Sequence, residues 1–410
     1  MEIFYVAGLT LIGVVLLEAA FGVFVSIRQA IARASFLKHK AEQLKVSVNK
    51  KSVASSVDHS GRWKGFRRFT VINKQMEAED ICSFYLSPVD GRQVCSFEPG
   101  QHIGFRFTVP GESKPTIRTY SLSAGVANDN VYRVSIKKVP APPGTDFPPG
   151  KGSGYFHEEL STGSIIEVSA PNGKFYLDRA DSRPAVLIAG GIGITPLLSM
   201  LETICSEGLQ RTCHLFHAVR SHRDHAFADR LTELIQVRDH LHLHTFFSSP
   251  EDGVDLPEGA RIGFLSAEAI QEIVGHLDVQ VYICGPPPMM EALVPSLESA
   301  GIQSRDLKME AFGPASVKKK KVATEDASGQ ATIDFGSQAI QWDGESSILE
   351  MAEENDIEID SGCRSGSCGT CQVRLISGKV KYEEDPTADP DEGHCLTCVG
   401  IPDGDIKVEV

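Results

Sequence analysis

The apolar and polar residues are arranged differently in the first part of the chain than in the rest. An apolar run over residues 4–27 is interrupted by a single charged residue, Glu18. At about 1.5 Å per residue, a helix of this length crosses the roughly 30 Å hydrocarbon core of a bilayer. We therefore predict a transmembrane anchor over residues 1–27, followed by a basic juxtamembrane stalk over residues 28–63.

The flanks of this run predict its orientation. Basic residues such as Arg28 and Arg33 follow it, and no Lys or Arg precedes it in the sequence. The positive-inside rule then predicts an inner (cytoplasmic) membrane location with the folded domains facing the cytoplasm. A cleaved signal peptide is the competing interpretation, but the start at Met1 and Glu2 lacks a basic region and the run is too long.

Short apolar runs punctuated by turn residues characterise residues 64–178. This pattern predicts an antiparallel barrel or sandwich. From residue 179 to 314, buried-type strands alternate with helical stretches, which predicts a parallel α/β sheet. The predicted strands are 69–72, 103–109, 131–138, 165–169, 185–189, 214–219, 242–246 and 279–283, and the predicted helices are 197–204, 226–237 and 288–300.

Two segments remain. Residues 315–330 contain a run of four lysines and few apolar residues, which predicts a linker. Residues 331–410 predict a small unit of short strands around one helix, 347–355.

Charge is spread unevenly over the 410 residues, whose formal net charge is −14. The segment 325–410 has 20 acidic and 5 basic side chains, whereas the segment 28–68 has 11 basic and 2 acidic ones. Nucleic acid is excluded as a partner because phosphate binding needs a basic face on a folded domain. The acidic segment either docks on a basic protein partner or is a solvated surface.

Five of the ten cysteines lie within 36 residues of one another near the end of the sequence. Cys363, Cys368 and Cys371 have the spacing C-x4-C-x2-C, and Cys398 follows 27 positions later. Clustered thiols indicate a metal site in a reducing compartment, and thiolates are the soft ligands of iron–sulfur clusters. A four-cysteine zinc site is the weaker alternative because its two C-x2-C pairs would leave Cys363 unused.

On these motifs, residues 331–410 resemble the plant-type ferredoxin family. The resemblance implies a β-grasp fold and one [2Fe–2S] cluster held by Cys363, Cys368, Cys371 and Cys398. Cys395 is an additional cysteine near the fourth ligand, and we expect it to be a protonated bystander.

Three elements of the β-rich region have residue types that suit a flavin. Residues 118–121 combine a cation for phosphate, an aromatic ring for stacking and a hydroxyl for a ring nitrogen. Residues 132–137 form an alternating strand whose backbone groups suit the flavin ring. The small residues 150–154 precede a predicted helix, 155–160, and small residues at a helix N-terminus form an anion site. The candidates are Arg118, Thr119, Tyr120, Ser121, Ser135, Lys137, Gly152, Ser153 and Gly154.

Two glycine-bearing turns follow predicted strands in the α/β region. Residues 190–196 lack the G-x-G-x-x-G register, but they place backbone N–H groups and a hydroxyl where the phosphates of a nucleotide would lie. Residues 284–287 lie at the carboxyl edge of the sheet, where ligands bind, although a simple Gly-Pro turn is the alternative. The candidates are Gly191, Gly193, Thr195, Cys284 and Gly285.

On these motifs, and on the ending E-x-F-G-P at 310–314, residues 66–314 resemble the ferredoxin–NADP⁺ reductase superfamily. The stretch 217–229 looks most like the reductase part of flavohaemoglobins, and the domain order is similar to that of the phthalate dioxygenase reductase type. The resemblance implies a multidomain chain with a β-barrel FAD domain over 64–178, an α/β NAD(P) domain over 179–314, a linker over 315–330 and a [2Fe–2S] domain over 331–410.

The resemblance also implies roles for single residues. Ser121, Cys284 and Glu310 would be catalytic, and Phe312 would line the place of hydride transfer. FAD is favoured over FMN. NADH and NADPH both stay open, because Arg220 and Arg223 would be able to meet a 2′-phosphate.

These cofactors suit one reaction sequence, since a flavin accepts two electrons as hydride and releases them singly to a [2Fe–2S] centre. We therefore expect an NAD(P)H oxidoreductase that serves a membrane-bound one-electron protein acceptor, such as an oxygenase, a hydroxylase or a desaturase. The alternatives are an NADH:quinone-type reductase and a redox-sensing or structural subunit of a membrane complex.

Overall fold

The computed structural model describes residues 63, 65–113, 115–127, 130–141, 148–236, 238–257, 259–276, 278–311, 331–359, 361, 366, 369, 371–382, 386 and 390–410. The predicted anchor, the predicted linker and all of the predicted stalk except Trp63 lie outside this set. Among the described residues, no helix combines the length and the apolar character needed to cross a bilayer.

The first part of the chain folds into a six-stranded antiparallel sheet with the order β4-β3-β6-β1-β2-β5. Its edge strands meet where the Ser123 N–H donates to the Arg133 carbonyl oxygen over 2.8 Å, beside a bridge between Leu122 and Val134. The sheet therefore curls back on itself at this corner. The strands are β1 (Phe66–Ala78), β2 (Ile81–Pro88), β3 (His102–Phe107), β4 (Thr116–Ser121), β5 (Tyr132–Lys137) and β6 (Ile165–Ser169).

Helix α1 (Lys151–Glu158) packs on this sheet through Phe156, which is fully buried. The Phe156 ring meets the Phe105 and Tyr120 rings edge-on at centroid distances of 5.0 and 5.1 Å. The helix begins four residues earlier than predicted, because residues 151–154 lack the apolar spacing by which a helix is recognised in sequence. Gly152, Ser153 and Gly154 therefore form its first turn rather than a preceding loop.

The second part is a six-stranded parallel sheet with the order β10-β9-β8-β7-β11-β12. Every residue of β7 is buried, as expected of a strand covered on both faces. Helices α2 and α3 cover one face, and α4 and α5 cover the other. The elements are β7 (Ala185–Gly190), α2 (Ile194–Glu207), β8 (Cys213–Val219), α3 (Ala228–Ile235), β9 (Leu241–Phe247), β10 (Arg261–Ile262), α4 (Ala267–Val274), β11 (Gln280–Gly285), α5 (Pro287–Ser299) and β12 (Leu307–Ala311).

The third part is a mixed five-stranded sheet, β14-β13-β19-β15-β17, with a separate β16-β18 pair. Helix α6 packs Ile348, Met351 and Ala352 into the core of this sheet. A capping box starts the helix, since Ser347 and Glu350 each accept a hydrogen bond from the other's backbone N–H. The elements are β13 (Thr332–Asp334), β14 (Ala339–Gln341), α6 (Ile348–Glu354), β15 (Gln372–Ser377), β16 (Val380–Tyr382), β17 (His394–Leu396), β18 (Gly400–Pro402) and β19 (Ile406–Glu409).

Candidate functional site

The two glycine-bearing turns of the nucleotide domain press against each other at the carboxyl edge of its sheet. A Cβ added to Gly193 would collide with the Cys284 carbonyl oxygen, and one added to Gly190 would lie 2.6 Å from Pro286 Cδ. Gly191 has a φ of +52°, which a glycine adopts without steric cost. These glycines therefore allow the close backbone approach that a nucleotide loop at this edge requires.

Hydrogen bonds inside the protein hold this loop in place. The Thr195 hydroxyl donates to the Ile192 carbonyl oxygen over 3.0 Å, so its proton is engaged within the loop. His217 Nε2 lies 3.1 Å from the Gly191 carbonyl oxygen. Burial, aided by nearby His225, lowers the pKa of His217 to about 3, so the neutral ring donates through Nε2. Sequence reasoning missed His217 as a support of this loop.

The three residues predicted to be catalytic come together from both domains. Ser121, the last residue of β4, donates from its hydroxyl to Glu310 Oε2 over 3.4 Å. Glu310 on β12 is paired in register with Cys284 on the neighbouring strand β11. The structure thus joins residues that are up to 189 positions apart in sequence into one group.

The electrostatics of this group keep Cys284 uncharged. The thiol is fully buried, and burial together with the nearby Glu310 carboxylate raises the pKa of Cys284 well above its ordinary value. A neutral thiol offers a small apolar surface next to a reacting ring rather than a nucleophile. Cys284 is therefore suited to pack against a bound ring, not to attack it.

A second group of predicted residues meets at the start of α1. A Cβ added to Gly152 would lie 3.0 Å from Arg118 Cγ and 3.5 Å from the Tyr120 hydroxyl, so glycine lets the helix approach β4. The first backbone N–H groups of the helix then lie beside the exposed Arg118 side chain. Both features attract anions, so the residues present fit the diphosphate of FAD.

The neighbouring candidates are placed less directly. The Ser153 hydroxyl accepts from the Val139 N–H and donates to the Gly150 carbonyl oxygen, each over 3.0 Å. A phosphate contact from Ser153 would therefore come from its backbone. A Cβ on Gly154 would meet nothing within 4 Å, and Thr119 is half-buried on the strand between Arg118 and Tyr120.

The side chains of Ser135 and Lys137 both have hydrogen-bond partners within the protein. The Ser135 hydroxyl lies 2.7 Å from the Ser83 hydroxyl and 2.8 Å from the Ser123 hydroxyl. Lys137 Nζ donates to Asp224 of the nucleotide domain over 2.6 Å. Alternation along β5 directs these side chains toward the domain interface, so a flavin contact here would come from the backbone.

His102 is a site residue that sequence reasoning missed. Its Nδ1 lies 3.8 Å from Glu310 Oε1, and its ring is almost completely buried. Its Nε2 has no hydrogen-bond partner among the described residues. A buried, unpaired ring nitrogen beside the Ser121–Glu310 pair is a polar group that a ligand would satisfy. Sequence offers no signal for His102, since its partners come from distant segments.

Two of the four predicted cluster ligands are described. Cys371 is buried, and the Cys398 N–H donates to Cys371 Sγ over 3.4 Å. Two adjacent thiols with an N–H···S hydrogen bond fit the donor set of a [2Fe–2S] cluster. Cys363, Cys368 and the flavin-site candidate Phe312 lie outside the described residues.

Cys395 belongs to a different environment. It lies in the hydrophobic core beside α6, paired in register with Val373. Burial, with a contribution from Cys371, raises the pKa of Cys395 to about 12, so the thiol stays protonated. This placement agrees with the expectation that Cys395 is a bystander.

Comparison with known proteins assigns three domains to the chain. Residues 68–176 match the oxidoreductase FAD-binding domain, residues 187–294 match the oxidoreductase NAD-binding domain, and residues 332–403 match the 2Fe-2S iron–sulfur cluster binding domain. The cofactors named by these families are the ones that the motifs predict.

Two of the relatives match about two thirds of the chain or less. A flavohemoprotein of Oceanobacillus iheyensis is 35% identical over 269 residues, which cover 66% of this chain and 64% of the relative, so the chain spans less than two thirds of it. The flavohem-like FAD/NAD-binding domain of nitric oxide dioxygenase from Vibrio cholerae is 32% identical, with a TM-score of 0.54 over 60% of this chain and 99% of that domain.

Phthalate dioxygenase reductase shares all three domains. It is 27% identical, with a TM-score of 0.53 over 84% of this chain and 98% of its own. It is a modular structure for electron transfer from pyridine nucleotides to [2Fe–2S]. The chain belongs to the ferredoxin–NADP⁺ reductase superfamily, with FAD-binding, NAD-binding and C-terminal [2Fe–2S] domains in the order found in phthalate dioxygenase reductase.

Proposed function

We propose that this protein oxidises NADH and delivers the electrons one at a time, through FAD and its [2Fe–2S] cluster, to a membrane-associated acceptor of the oxygenase, hydroxylase or desaturase class. The meeting of Ser121, Glu310 and Cys284 at the interface of the flavin and nucleotide domains carries this proposal. Such a group suits a site where a ligand of one domain reacts with a ligand of the other.

The chain's own residues position the reactants and handle a proton. FAD would accept hydride from the nicotinamide and release single electrons to the cluster. Cys284 offers an uncharged surface, and Ser121 presents a hydroxyl whose proton Glu310 holds at Oε2. Glu310 keeps 16% of its side chain exposed, so solvent reaches this carboxyl group.

NADH is the proposed coenzyme because carboxylates pair with Arg223 near the strand end that would meet the adenosine ribose. Partial desolvation works to raise the pKa of Glu251, but backbone N–H groups, the Ser221 hydroxyl and the His222 ring outweigh it and lower that pKa to about 2. Arg223 lies 3.5 Å from both Glu251 and Glu79. A carboxylate at this position favours a 2′-hydroxyl and repels a 2′-phosphate.

The membrane-associated acceptor is supported by sequence and by a relative. The apolar run over residues 4–27 followed by basic residues supports an anchor in the inner membrane with the catalytic domains on the cytoplasmic side. The acidic segment 325–410 supports docking on a basic protein surface. Phthalate dioxygenase reductase is, by its name, the reductase of an oxygenase.

The test uses the full chain in detergent, loaded with FAD and cluster. Stopped-flow mixing with NADH and with NADPH measures flavin reduction, and cytochrome c, ferricyanide and a soluble quinone serve as acceptors. We expect faster reduction by NADH, and cytochrome c reduction that depends on the cluster. Affinity isolation from solubilised membranes would then identify the acceptor.

The other outcomes separate the competing functions. Quinone reduction by the purified chain that outpaces cytochrome c reduction would favour a quinone reductase. Failure of NADH and NADPH to reduce the flavin would leave a sensing or structural role. Recovery of the chain in the soluble fraction of cells would contradict membrane anchoring.

A further inference from the structure

A short segment after β6 connects the flavin site to the cluster-bearing domain. On one side, His102 and Asn172 form an isolated antiparallel bridge, in which each backbone N–H donates to the other's carbonyl oxygen over 3.0 and 2.9 Å. His102 is also the residue whose ring lies 3.8 Å from Glu310. This segment is therefore tied directly to the group predicted to serve the flavin.

On the other side, the same segment contacts the [2Fe–2S] domain. A Cβ added to Gly369, two residues before Cys371, would lie 3.8 Å from Asn172 Nδ2. Lys174 Nζ donates to the Pro386 carbonyl oxygen over 3.5 Å. Gly369, in the segment of the predicted ligands Cys368 and Cys371 (the cluster loop), and Pro386 thus lie against residues 172–174.

The segment is held rigidly between these contacts. Gly173 has a φ of +116°, and a Cβ there would lie 2.9 Å from His102 Nδ1, so only glycine permits this approach. The Asn172 carboxamide oxygen accepts from the Gly173 N–H over 2.8 Å, and Gln101 Nε2 donates to the Gly173 carbonyl oxygen over 3.1 Å. These bonds fix the side chain that faces the cluster loop.

We propose that Asn172 and Lys174 are positioning residues for the flavin-to-cluster electron step, seating the [2Fe–2S] domain through Gly369 and Pro386 at a fixed distance from the flavin site. This inference rests on the proposed function. NADH supplies two electrons to the flavin. These electrons pass one at a time to the oxidised cluster, and the acceptor takes the first from the cluster before the second arrives. The flavin's proton leaves to solvent. Because the rate of electron transfer falls steeply with separation, a shift of the loop slows this step alone.

The experiment compares Asn172→Ala and Lys174→Glu with the wild-type holoenzyme. The control is Arg92→Glu, which places the same kind of charge reversal on an exposed side chain of the flavin domain. Stopped-flow spectroscopy follows flavin reduction and cluster reduction separately. Both test variants should reduce flavin at the wild-type rate and reduce the cluster about tenfold more slowly, and the control should change neither.

Hydrogen exchange gives a readout that does not depend on turnover. Amides of residues 172–176 and 366–372 should exchange faster in both test variants, and their exchange should be unchanged in the control. Cluster reduction within twofold of the wild type in Lys174→Glu, which leaves the buried contacts intact, would overturn the proposal, as would equal slowing of the flavin step. If NADH fails to reduce the wild-type flavin, the proposed function fails, while the exchange result still decides whether this joint exists.

Discussion

The flavin domain meets its two neighbours in different ways. Toward the nucleotide domain it uses buried charge: Arg133 lies 3.2 Å from Glu202, and each side chain keeps only about a tenth of its surface exposed. Glu202 also accepts from the Gly125 N–H and from Arg230, each over 2.9 Å. A buried, multiply bonded carboxylate permits little sliding between the domains.

Toward the [2Fe–2S] domain the flavin domain uses a loop and an exposed lysine. Lys174 donates to a backbone carbonyl, and Asn172 faces the Gly369 backbone. Exposed contacts of this kind contribute little free energy. The difference follows from the chemistry proposed for each interface, since hydride transfer needs reacting atoms in contact, whereas a single electron crosses a gap.

The largest expected effect is at the cluster. Cys371→Ser should abolish the cluster absorbance and cytochrome c reduction while NADH still reduces the flavin, because a thiolate ligand is lost. Cys395→Ala is the matched control and should keep the cluster, since Cys395 lies in the core beside α6. If Cys395→Ala loses the cluster and Cys398→Ala retains it, the fourth ligand is Cys395 and not Cys398.

The next largest effect is at the flavin–nucleotide interface. Glu310→Gln and Cys284→Ala should each slow stopped-flow flavin reduction roughly 100-fold, because the reacting rings lose their alignment. Flavin content should stay unchanged. Glu291→Gln, an exposed carboxylate on α5, is the control and should react at the wild-type rate. Equal rates in all three variants would remove these residues from the site.

Stability should separate the two interfaces directly. Glu202→Ala leaves Arg133 buried without its partner and should lower the free energy of unfolding by about 3 kcal/mol. Lys174→Ala removes an exposed contact and should lower it by less than about 0.5 kcal/mol. Urea unfolding, monitored by the release of flavin, measures both changes. Similar losses of unfolding free energy in the two variants would contradict the contrast between the interfaces.

The smallest effect concerns acid sensitivity of the nucleotide domain. Burial lowers the pKa of His217 to about 3 in the folded state, below the ordinary value of about 6.5 that applies to the unfolded chain. The unfolded state therefore binds more protons between these values, so stability falls as the pH falls from about 6.5 toward 3. His217→Gln should make the urea midpoint fall less steeply between pH 7 and pH 5. A pH dependence equal to that of the wild type would mean that other groups cause the loss of stability.

Much of the fold was predictable because its signals are local. The strand over 165–169 is observed with the predicted bounds, and the strands near 103–109 and 185–189 are confirmed within two residues. The strand β2 and the helix α4 were not predicted. In β2 nearly every residue is buried, so the alternation that marks a half-exposed strand is absent.

The site was predictable in its residue types but not in its contacts. Ser121, Cys284 and Glu310 stand out as parts of motifs, and the structure brings them together. Ser135 and Lys137 share the alternating strand that suggested them, but alternation reveals which side chains share a face and not what covers that face. Lys137 pairs with Asp224 of the nucleotide domain, a contact that alternation along a strand does not reveal.

The sequence by itself determined the elements whose causes lie within a few residues: the cysteine spacing, the glycine turns, and most strands and helices. The tertiary structure alone decided the contacts between segments far apart in the chain, such as Glu310 with Ser121 and His102, and Asn172 with the cluster loop. The physical reason is that spacing and propensity act over one or two turns of backbone, whereas domain interfaces form through side chains that the sequence separates by many residues.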